Sequence, residues 1–337
     1  MNPDIQSIEL LFPVEGIRVN SRDLIKQEFE SGTSYLQSVR RVLKWWYETE
    51  LPLEIQTSGS TGNPKKLSFS REQVFSSALL TIDSLKLESS SRALLAIDPD
   101  FIGGRMMIVR ALVAGMNLIC IPPMANPLSV EFKYPVRFAS FVPYQVRSIM
   151  ADKLTFDRFK KIDQVLVGGA PIGGDLWSQI TELNNRVYLT YGMTETLSHI
   201  ALLENKPGVN DYKALNGVKF AIDNRGCLNI YAPHIQEQII QTNDVVELIN
   251  TSAFRWVGRI DNIINSGGLK INPENVEEQL RVAFERVEIG NEFIVSSVPD
   301  PVLGSKLVLI IAGTNSEPPD IKKRLWASLE SIPNKYH

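Results

Sequence analysis

The stretch "RALLAIDPDFIGGRMMIVRALVAGMNLICIPP" (residues 92–123) decides the fold class. It predicts an apolar strand over residues 92–98, a helix over residues 105–115 that ends at Gly115, and a second strand over residues 117–123 that is closed by prolines. Short apolar strands that alternate with helices are typical of layered α/β domains, in which helices cover the faces of a mostly parallel sheet. We therefore expect an α/β domain in this part of the chain.

The same alternation continues towards the middle of the chain. It predicts three strands, at residues 137–143, 164–169 and 186–192, and one helix, at residues 175–183, between the last two strands. Beyond Gly217 the apolar runs become short and are separated by Asn, Gly and Pro, which is typical of a β-rich subdomain. Strands are predicted there at residues 227–233, 244–250 and 253–259.

A second domain is predicted after "VGRIDNIINSGG" (residues 257–268). Asn272 is a plausible N-cap and Pro273 suits the first helical position, so a helix is expected to follow. The later segments predict two strands and a final helix, at residues 292–299, 306–313 and 319–332. We predict a large N-terminal domain over residues 1–260 and a small α+β domain over residues 261–337. The last helix is followed only by "IPNKYH", so we expect the small domain to be incomplete at its end.

Composition limits the classes of function. The chain has 337 residues and a net charge of -3, which favours two domains and argues against nucleic-acid binding. Its two cysteines are far apart in apolar contexts, so they predict buried thiols in a reducing compartment. Three histidines make a zinc site improbable. We see neither a signal peptide nor a membrane-spanning run, and we expect a cytoplasmic protein without a membrane partner.

The segment "TSGSTGNPKK" (residues 57–66) has the composition of an anion-binding loop. Gly59 and Gly62 allow backbone conformations in which successive N–H groups converge on an anion. Hydroxyl groups and a cation are added by Ser58, Ser60, Thr61 and Lys65. The two glycines are too close together for a P-loop, and Pro64 interrupts the segment. The alternative interpretation is a solvated turn between "LEIQ" (residues 53–56) and "LSFS" (residues 67–70).

Four further segments follow this loop in a fixed order. They are "GGAPI" (residues 168–172), "YGMTET" (191–196), "TNDVVEL" (242–248) and "VGRIDNIINSGGLKINPENVEE" (257–278). Taken singly, they could be a strand-end turn, a helix cap, a hairpin and a linker. Together with the loop they resemble the adenylate-forming superfamily of acyl-CoA and aryl-CoA synthetases, peptide-synthetase adenylation domains and luciferases. The resemblance runs from about Thr57 to the end of the chain.

This resemblance implies an enzyme that activates a carboxylic acid with ATP and transfers it to coenzyme A, with Mg²⁺ as cofactor. It assigns the β- and γ-phosphates of ATP to Thr57, Ser58, Gly59, Ser60, Thr61, Gly62 and Lys65. It assigns the α-phosphate to Thr194 and Mg²⁺ to Glu195. The remaining ATP-binding residues are Gly168, Gly169, Ala170 and Pro171 beside the adenine, Tyr191 stacked on it, Gly192 next to Tyr191, and Asp244 and Arg259 at the ribose.

The resemblance also implies an acid-binding segment, a mobile small domain and a path for coenzyme A. Candidates for the acid are Phe101, Gly103, Gly104, Arg105 and His199. For Arg105 the alternative is a surface cation on a helix, and for His199 it is an interior histidine with satisfied hydrogen bonds. Asp261 falls at the hinge on which the small domain rotates. Gly267 and Gly268 would line the entry of the thiol.

Within the superfamily, the short chain, "YGMTETLSH" (residues 191–199) and "INSGGLKI" (264–271) are most similar to the o-succinylbenzoate–CoA ligases of menaquinone synthesis. Several positions depart from the pattern. Lys66 replaces a common glycine, the part before the loop is short, and no "TGK" segment with the superfamily's catalytic lysine is present. Two alternatives therefore stay open: a CoA ligase for another aryl or acyl acid, and a non-catalytic nucleotide-binding relative.

Overall fold

The structure is a computed structural model that describes residues 7–26, 33–56, 66–273, 276, 277, 280, 284 and 293–312. Its N-terminal part contains four strands and three helices: β1 (Glu9–Phe12), β2 (Ile17–Asn20), α1 (Ser21–Lys26), α2 (Ser34–Glu48), β3 (Leu53–Gln56), β4 (Lys66–Phe69) and α3 (Arg71–Leu85). β3 and β4 pair antiparallel, with Gln56 opposite Lys66. The predicted anion-binding loop therefore joins the two strands of a hairpin, although residues 57–65 themselves lie outside the described residues.

The alternating region predicted from the sequence is confirmed. It contains β5 (Arg92–Leu95), α4 (Ile102–Ala114), β6 (Asn117–Cys120), β7 (Phe138–Phe141), α5 (Pro143–Met150), α6 (Lys153–Phe159), β8 (Gln164–Val167), α7 (Gly174–Thr181) and β9 (Arg186–Gly192). Helix α4 begins three residues before the predicted start at Arg105. The sequence concealed this start because Gly103 and Gly104, poor helix formers, occupy its first turn.

The five strands of this region and β1 from the N-terminal part run parallel side by side, in the spatial order β1-β6-β5-β7-β8-β9. The carboxyl ends of parallel strands share one edge of a sheet, and open α/β sheets bind ligands in the crevice outside that edge. "GGAPI" follows β8 and "YGMTET" overlaps the end of β9. Because β8 and β9 are neighbours, two segments that are far apart in the sequence lie beside each other at this edge.

The β-rich part extends the same sheet. Its strands are β10 (His199–Glu204), β11 (Tyr212–Ala214), β12 (Lys219–Ile222), β13 (Cys227–Tyr231), β14 (Ile240–Asn250) and β15 (Ala253–Arg259). β10 pairs antiparallel with β9, and the complete order of the described sheet is β12-β13-β14-β15-β11-β10-β9-β8-β7-β5-β6-β1-β2. The predicted β-rich subdomain is thus the antiparallel half of one sheet, which places Asp244 and Arg259 opposite each other.

Two apolar cores cover the two faces of the parallel strands. Successive residues of β5 point into different cores, Leu95 into the core under α2, α3 and α4, and Leu94 into the core under α5, α6 and α7. This alternation is the period-two pattern of a strand that is buried on both faces. Cys120 and Cys227 are buried free thiols, as the sequence predicts. No helix among the described residues has the length and hydropathy needed to cross a membrane.

The C-terminal part has its own sheet and its own small core. Its strands are β16 (Ile264–Ser266), β17 (Leu269–Ile271), β18 (Phe293–Asp300) and β19 (Gly304–Ile311), in the order β17-β16-β19-β18. Pro273, Val276 and Leu280 are helical, in agreement with the predicted helix after Asn272. The last predicted helix, residues 319–332, lies outside the described residues. The domain boundary at residue 260 stays a prediction.

We predict that Phe254 is essential for the packing of the antiparallel half of the sheet. Its ring is buried, and its centroid lies 4.9 Å from those of Tyr191 and Phe220 and 5.4 Å from that of Tyr212. Phe254→Ala should lower the free energy of unfolding by about 3–5 kcal/mol in urea titrations. As a control, Ile249→Ala on the adjacent β14 removes a side chain that is 43% exposed, and it should change stability by less than about 1 kcal/mol. Equal losses in the two variants would contradict the prediction.

Candidate active site

The ends of β8 and β9 are in unusually close contact. A Cβ atom built on Gly168 would lie 1.9 Å from Oγ1 of Thr190, so no larger residue fits unless that side chain moves. The Thr190 hydroxyl donates to the carbonyl of Val167 at 3.3 Å. Gly169 follows with a φ of +86°, and Gly169, Ala170 and Pro171 are exposed at the carboxyl edge. Glycine at residue 168 thus allows the turn to lie directly against the strand that carries Tyr191.

Tyr191, Asp244 and Arg259, all predicted to bind ATP, meet in one hydrogen-bonded cluster. The Tyr191 hydroxyl donates to Oδ2 of Asp244 at 2.6 Å, across 53 positions of sequence. Oδ1 of the same carboxylate accepts from Nε1 of Trp256 at 3.3 Å and from Nη1 of Arg259 at 3.5 Å. Asp244 is buried, with 7% of its surface exposed, so its charge depends on these donors.

The cluster fixes the protonation state of Tyr191. Burial, followed by the nearby Asp244 carboxylate, raises the pKa of the Tyr191 hydroxyl well above its usual range. The hydroxyl therefore stays a donor to Asp244 at neutral pH. Thr242 holds the backbone at Asp244, because its Oγ1 accepts the backbone N–H of Asp244 at 3.0 Å. A buried carboxylate with an unused lone-pair capacity at a sheet edge is suited to accept hydroxyl groups of a ligand.

Arg259 links this cluster to the predicted hinge residue. While Nη1 faces Asp244, Nη2 donates to Oδ2 of Asp261 at 2.9 Å. The side-chain amide of Asn243 donates to both oxygens of Asp261, at 3.0 and 3.1 Å. The Arg259 guanidinium, and then Asn243, lower the pKa of Asp261. A change of conformation at residue 261 would therefore disturb a side chain at the candidate ribose site.

Thr194 and Glu195 lie on a short 3-10 turn (Thr194–Thr196) directly after β9. Both residues are half-buried. Within the part of the chain that the structure describes, the Glu195 carboxylate has neither a hydrogen bond nor an ion pair. A partly buried carboxylate that is left without a protein cation fits a hard divalent cation, which takes oxygen ligands and keeps several waters. No cluster of three or more metal-binding side chains occurs among the described residues.

The acid-binding candidates fall into two separate places. Arg105 donates from Nε to the backbone carbonyl of Pro99 and from Nη1 to the backbone carbonyl of Glu54, both at 3.2 Å. It lines a cavity of about 230 Å³ together with Trp45, Leu53 and Asp100, among others. Burial lowers the pKa of its guanidinium. Arg105 is thus a half-buried cation at a cavity rather than a freely solvated surface cation.

The three other candidates of this segment surround the start of α4. Phe101 is 69% exposed. A Cβ atom added at Gly104 would overlap the backbone of Asp98 and Pro99, whereas one added at Gly103 would only touch Ile97, at 3.8 Å. The acid-binding role of these three residues stays a prediction.

His199 lies in the interior. Its Nε2 is 3.0 Å from Oγ1 of Thr81, and its Nδ1 is 3.5 Å from Nη2 of Arg110. Burial, and then Arg110, lower the pKa of His199 well below its usual value, so the ring is neutral. His199 and Arg105 have no hydrogen-bonding partner in common among the described residues. The geometry of His199 agrees with the alternative of a satisfied interior histidine, and its role at the acid stays a prediction.

Gly267 and Gly268 form the two-residue turn between β16 and β17. Their φ angles are +57° and +86°, and positive values at both central residues are the requirement of a type I′ hairpin. The N–H of Gly267 donates to the Leu303 carbonyl at 2.9 Å. The geometry of the turn alone accounts for both glycines. Their role in lining a path for coenzyme A stays a prediction.

Some residues of the site escaped sequence reasoning. Trp256, Thr242 and Asn243 contact the predicted residues, and Arg110 and Thr81 contact His199. The sequence could have indicated the first three, because Thr242 and Asn243 directly precede Asp244 and Trp256 lies three residues before Arg259. Arg110 is an arginine in an otherwise apolar helical run, and that anomaly could have marked it. The loop residues Thr57, Ser58, Gly59, Ser60, Thr61, Gly62 and Lys65 lie outside the described residues.

The fold is that of an α/β protein with an open sheet, and the tyrosine–aspartate–arginine cluster and the threonine–glutamate turn are its candidate ligand site. The sequence profile of the AMP-binding enzyme family matches residues 36–224. The chain therefore belongs to the AMP-binding enzyme family. This confirms the resemblance to adenylate-forming enzymes.

Individual relatives narrow the comparison. The chain is 25% identical over 293 residues to a probable 2-succinylbenzoate–CoA ligase of Mycobacterium tuberculosis, a match that covers 82% of this chain and 74% of that relative. Among solved structures it resembles an acyl-CoA synthetase (AMP-forming)/AMP-acid ligase II-like protein of Dyadobacter fermentans, with 36% identity, a TM-score of 0.65, and coverage of 93% of this chain and 89% of that one.

A third comparison concerns the fold alone. The o-succinylbenzoate coenzyme A synthetase of Bacillus subtilis, solved in complex with ATP and magnesium ion, superposes with a TM-score of 0.63 at 20% identity. The match covers 84% of this chain but only 64% of that synthetase. The narrower resemblance to o-succinylbenzoate–CoA ligases, noted from the sequence, is thus confirmed as similarity to proteins of that name.

We predict an energetic coupling between Gly168 and Thr190. Gly168→Ala should destabilise the protein by about 1–3 kcal/mol, since the new Cβ would overlap Oγ1 of Thr190. In a Thr190→Ala background the same substitution should cost clearly less, because the overlapping hydroxyl is gone. Urea unfolding of the wild type, both single variants and the double variant measures the interaction. Strictly additive losses would show that the close approach carries no strain.

Proposed function

We propose that this protein is an ATP-dependent acid–CoA ligase that activates 2-succinylbenzoate. The observation that carries the proposal is the Tyr191–Asp244–Arg259 cluster at the same sheet edge as the Thr194–Glu195 turn. The similarity to ligases of this name supports the acid and the thiol. The chain spans 64% of the length of the B. subtilis synthetase, so substrates of the whole enzyme are part of the proposal.

The cluster would hold the nucleoside. Asp244 would exchange part of its present hydrogen bonds for the two ribose hydroxyls, with the carboxylate accepting both. Arg259, which already reaches Asp244, would donate to the ribose from the other side. Tyr191 would stack on the adenine, and its hydroxyl would keep Asp244 in place. The exposed turn at Gly169, outside β8, would border the base.

The adenylation step joins two anions. A carboxylate oxygen of the acid attacks the α-phosphorus, an O–P bond forms, and the bond from that phosphorus to the bridging oxygen of pyrophosphate breaks. Positioning is the main task, since the two reactants must be aligned against their mutual repulsion. The Thr194 hydroxyl would donate to an α-phosphate oxygen, and the loop with Lys65 would hold the β- and γ-phosphates. Such donors stabilise the charge that develops at phosphorus.

Glu195 is the residue proposed to hold Mg²⁺, which when bound neutralises phosphate oxygens. Its carboxylate is half-buried and without a cationic partner among the described residues, as a metal-binding oxygen requires. Thr194 on the same turn would then contact the α-phosphate at a fixed distance from the metal-binding oxygen.

The second step transfers the acyl group. The thiol of coenzyme A attacks the carbonyl carbon of the acyl-adenylate and loses its proton, and AMP leaves with the electron pair of the broken C–O bond. Asp261 is proposed as the hinge of the rotation between the steps, and Gly267 and Gly268 as the lining of the thiol's path. The Arg259–Asp261 ion pair connects this hinge to the nucleotide site.

The acid carries a second carboxylate, which needs a cation or several donors. Arg105, at its cavity beside Trp45, is one candidate for that contact, and His199 is the other. Phe101 and Gly103 at the start of α4 would border the same acid.

The proposal is tested by ATP–pyrophosphate exchange. Purified full-length protein with ATP and Mg²⁺ should exchange labelled pyrophosphate in the presence of 2-succinylbenzoate, and addition of coenzyme A should give succinylbenzoyl-CoA and AMP. Benzoate, salicylate and a fatty acid serve as comparison acids. Exchange with one of these and none with succinylbenzoate would sink the assigned acid, and it would favour a ligase for another aryl or acyl acid. No exchange with any acid, despite ATP binding, would favour a non-catalytic relative.

We further predict that Glu195→Gln impairs adenylation. Loss of one charge contact in the transition state should lower kcat/KM for exchange by about tenfold or more, which corresponds to roughly 1.4 kcal/mol. The matched control is Glu247→Gln, which removes a carboxylate paired with Arg255 on the surface of β14 and should leave exchange unchanged. Unchanged kinetics in Glu195→Gln would remove this residue from the metal site.

A further inference from the structure

A second cavity lies at the amino edge of the parallel strands, on the side of the sheet away from the candidate active site. It is lined by residues 128 and 132–136, which precede β7, and by residues 158, 161 and 162, which precede β8. β7 and β8 are parallel neighbours, so the segments that lead into them meet at one place. The volume of this amino-edge cavity is about 420 Å³, within the range of roughly 300–1,000 Å³ that is usual for small-molecule sites.

The walls of the amino-edge cavity are apolar and aromatic. Leu128, Val136 and Ile162 are buried, with exposures of 1%, 5% and 3%. Phe132 and Tyr134 are half-buried and line the same space. Such walls favour a ligand with an apolar ring, because they remove its surface from water and offer aromatic contacts.

The ring of Tyr134 is tied to the sheet. The guanidinium carbon of Arg92 lies 4.2 Å from the centre of this ring, as in a cation–π contact. Arg92 is the first residue of β5, the strand next to β7. The aromatic wall therefore has a fixed support and does not depend on a ligand for its position.

The segment before β7 is also fixed by hydrogen bonds to α6. Nη1 of Arg158 donates to the backbone carbonyl of Leu128 at 2.6 Å and to that of Val130 at 3.3 Å. The side-chain amide of Asn126 donates to Oγ1 of Thr155 at 3.0 Å. The cavity is thus preformed, which spares a ligand part of the cost of ordering the protein on binding.

The charge around the amino-edge cavity is positive. Lys133, Arg158 and Lys161 line it together with no acidic residue, although the chain as a whole has a net charge of -3. Among the described residues, the amino groups of Lys133 and Lys161 have neither a hydrogen bond nor an ion pair. Both can therefore donate to an anionic group of a ligand in charge-assisted hydrogen bonds.

The carboxylates closest in sequence to these two lysines have other partners. They form three ion pairs: Asp157 with Lys160, Asp163 with Arg137, and Glu131 with Arg158. The third pair is loose, with 4.0 Å between Glu131 and Nη2 of Arg158 and a Glu131 side chain that is 92% exposed. The positive charge of the two lysines is thus not neutralised by a neighbouring carboxylate in an ion pair.

We propose that the amino-edge cavity is a binding site for a small aromatic anion. The ring of the ligand lies against Phe132 and Tyr134, and its anionic group contacts Lys133 and Lys161. The site is separate from the Thr194–Glu195 turn, which lies at the carboxyl edge of the same sheet. It therefore goes beyond the proposed function and does not rest on it.

The test uses the full chain with labelled isoleucine methyl groups and biphenyl-4-carboxylate as the probe. Ile162 lines the amino-edge cavity, whereas Ile172 follows β8 at the carboxyl edge, so their methyl signals report the two places separately. Ile162→Val and Ile172→Val variants assign the signals. The Ile162 signal should shift with a dissociation constant of about 1 mM or tighter, as is usual for a ligand of this size. A shift of Ile172 alone would place the probe at the candidate active site and would overturn the proposal.

Two comparison ligands test the chemistry of the site. Biphenyl-4-carboxamide has nearly the same shape without the charge, and octanoate has the charge without a ring. Each should bind at the Ile162 reporter about tenfold more weakly than the probe, because each lacks one of the two kinds of contact. Equal affinity for the carboxamide would refute the anionic contact, and equal affinity for octanoate would refute the aromatic one.

Variants test the residues. Lys133→Gln and Lys161→Gln should each raise the dissociation constant by about 2-fold to 5-fold, as expected for partly exposed charge contacts. Lys219→Gln on β12 removes an exposed lysine far from the cavity in the sheet order and should leave the affinity unchanged. Thermal unfolding confirms that each variant is folded. Folded lysine variants with wild-type affinity, or no shift of Ile162 with any ligand, would overturn the proposal. These readouts need no catalysis, so a failure of pyrophosphate exchange would count against the proposed function alone.

Discussion

The pairing of β9 with two different neighbours is the constraint on which the candidate site depends. On one side β9 is parallel to β8, which brings the exposed turn at Gly169 next to Tyr191. On the other side it is antiparallel to β10, with Gly192 opposite His199 and a bulge before Ala201. A chain that leaves β9 must therefore reverse within a few residues. The short turn that carries Thr194 and Glu195 is this reversal, and Leu197, with a φ of +62°, follows it directly.

Charge is distributed around that turn in two different ways. On the solvent side, Asp244 and Asp261 are both reached by Arg259, and each anion has further neutral donors around it. On the interior side, Arg110 has no anion and only hydroxyl and imidazole acceptors. Conventional ion pairing explains the first group, because such pairs at a partly wetted edge cost little. The second group is expensive, because a buried cation without a counter-charge is compensated there only by neutral acceptors.

The sequence predicted the layered α/β region well because its strands are uninterrupted apolar runs and its helices have clear ends, as at Gly115. It also singled out Tyr191, Asp244 and Arg259, which lie in recognisable motifs and meet in the structure, while their role at a nucleotide stays a prediction. It did not predict that the β-rich part continues the same sheet, because antiparallel pairing of β9 with β10 has no signature in either strand. Nor did it find β1, which joins the sheet only by pairing with β6, more than a hundred residues away. Contacts of that range depend on register, and a bulge between Val245 and Val246 sets the register that brings Asp244 opposite Arg259.

The two interpretations of the hairpin and of His199 illustrate that a structural role and a functional role need not compete. β3 and β4 form the hairpin that the interpretation of the loop as a solvated turn required, and the guanidinium of Arg105 donates to the backbone of β3. His199 is an interior histidine with satisfied hydrogen bonds, and its partners Arg110 and Thr81 lie on α4 and α3. At each position it therefore matters which element supplies the hydrogen-bonding partner. A partner on a distant helix fixes the residue relative to that helix, whereas a partner in the same turn does not.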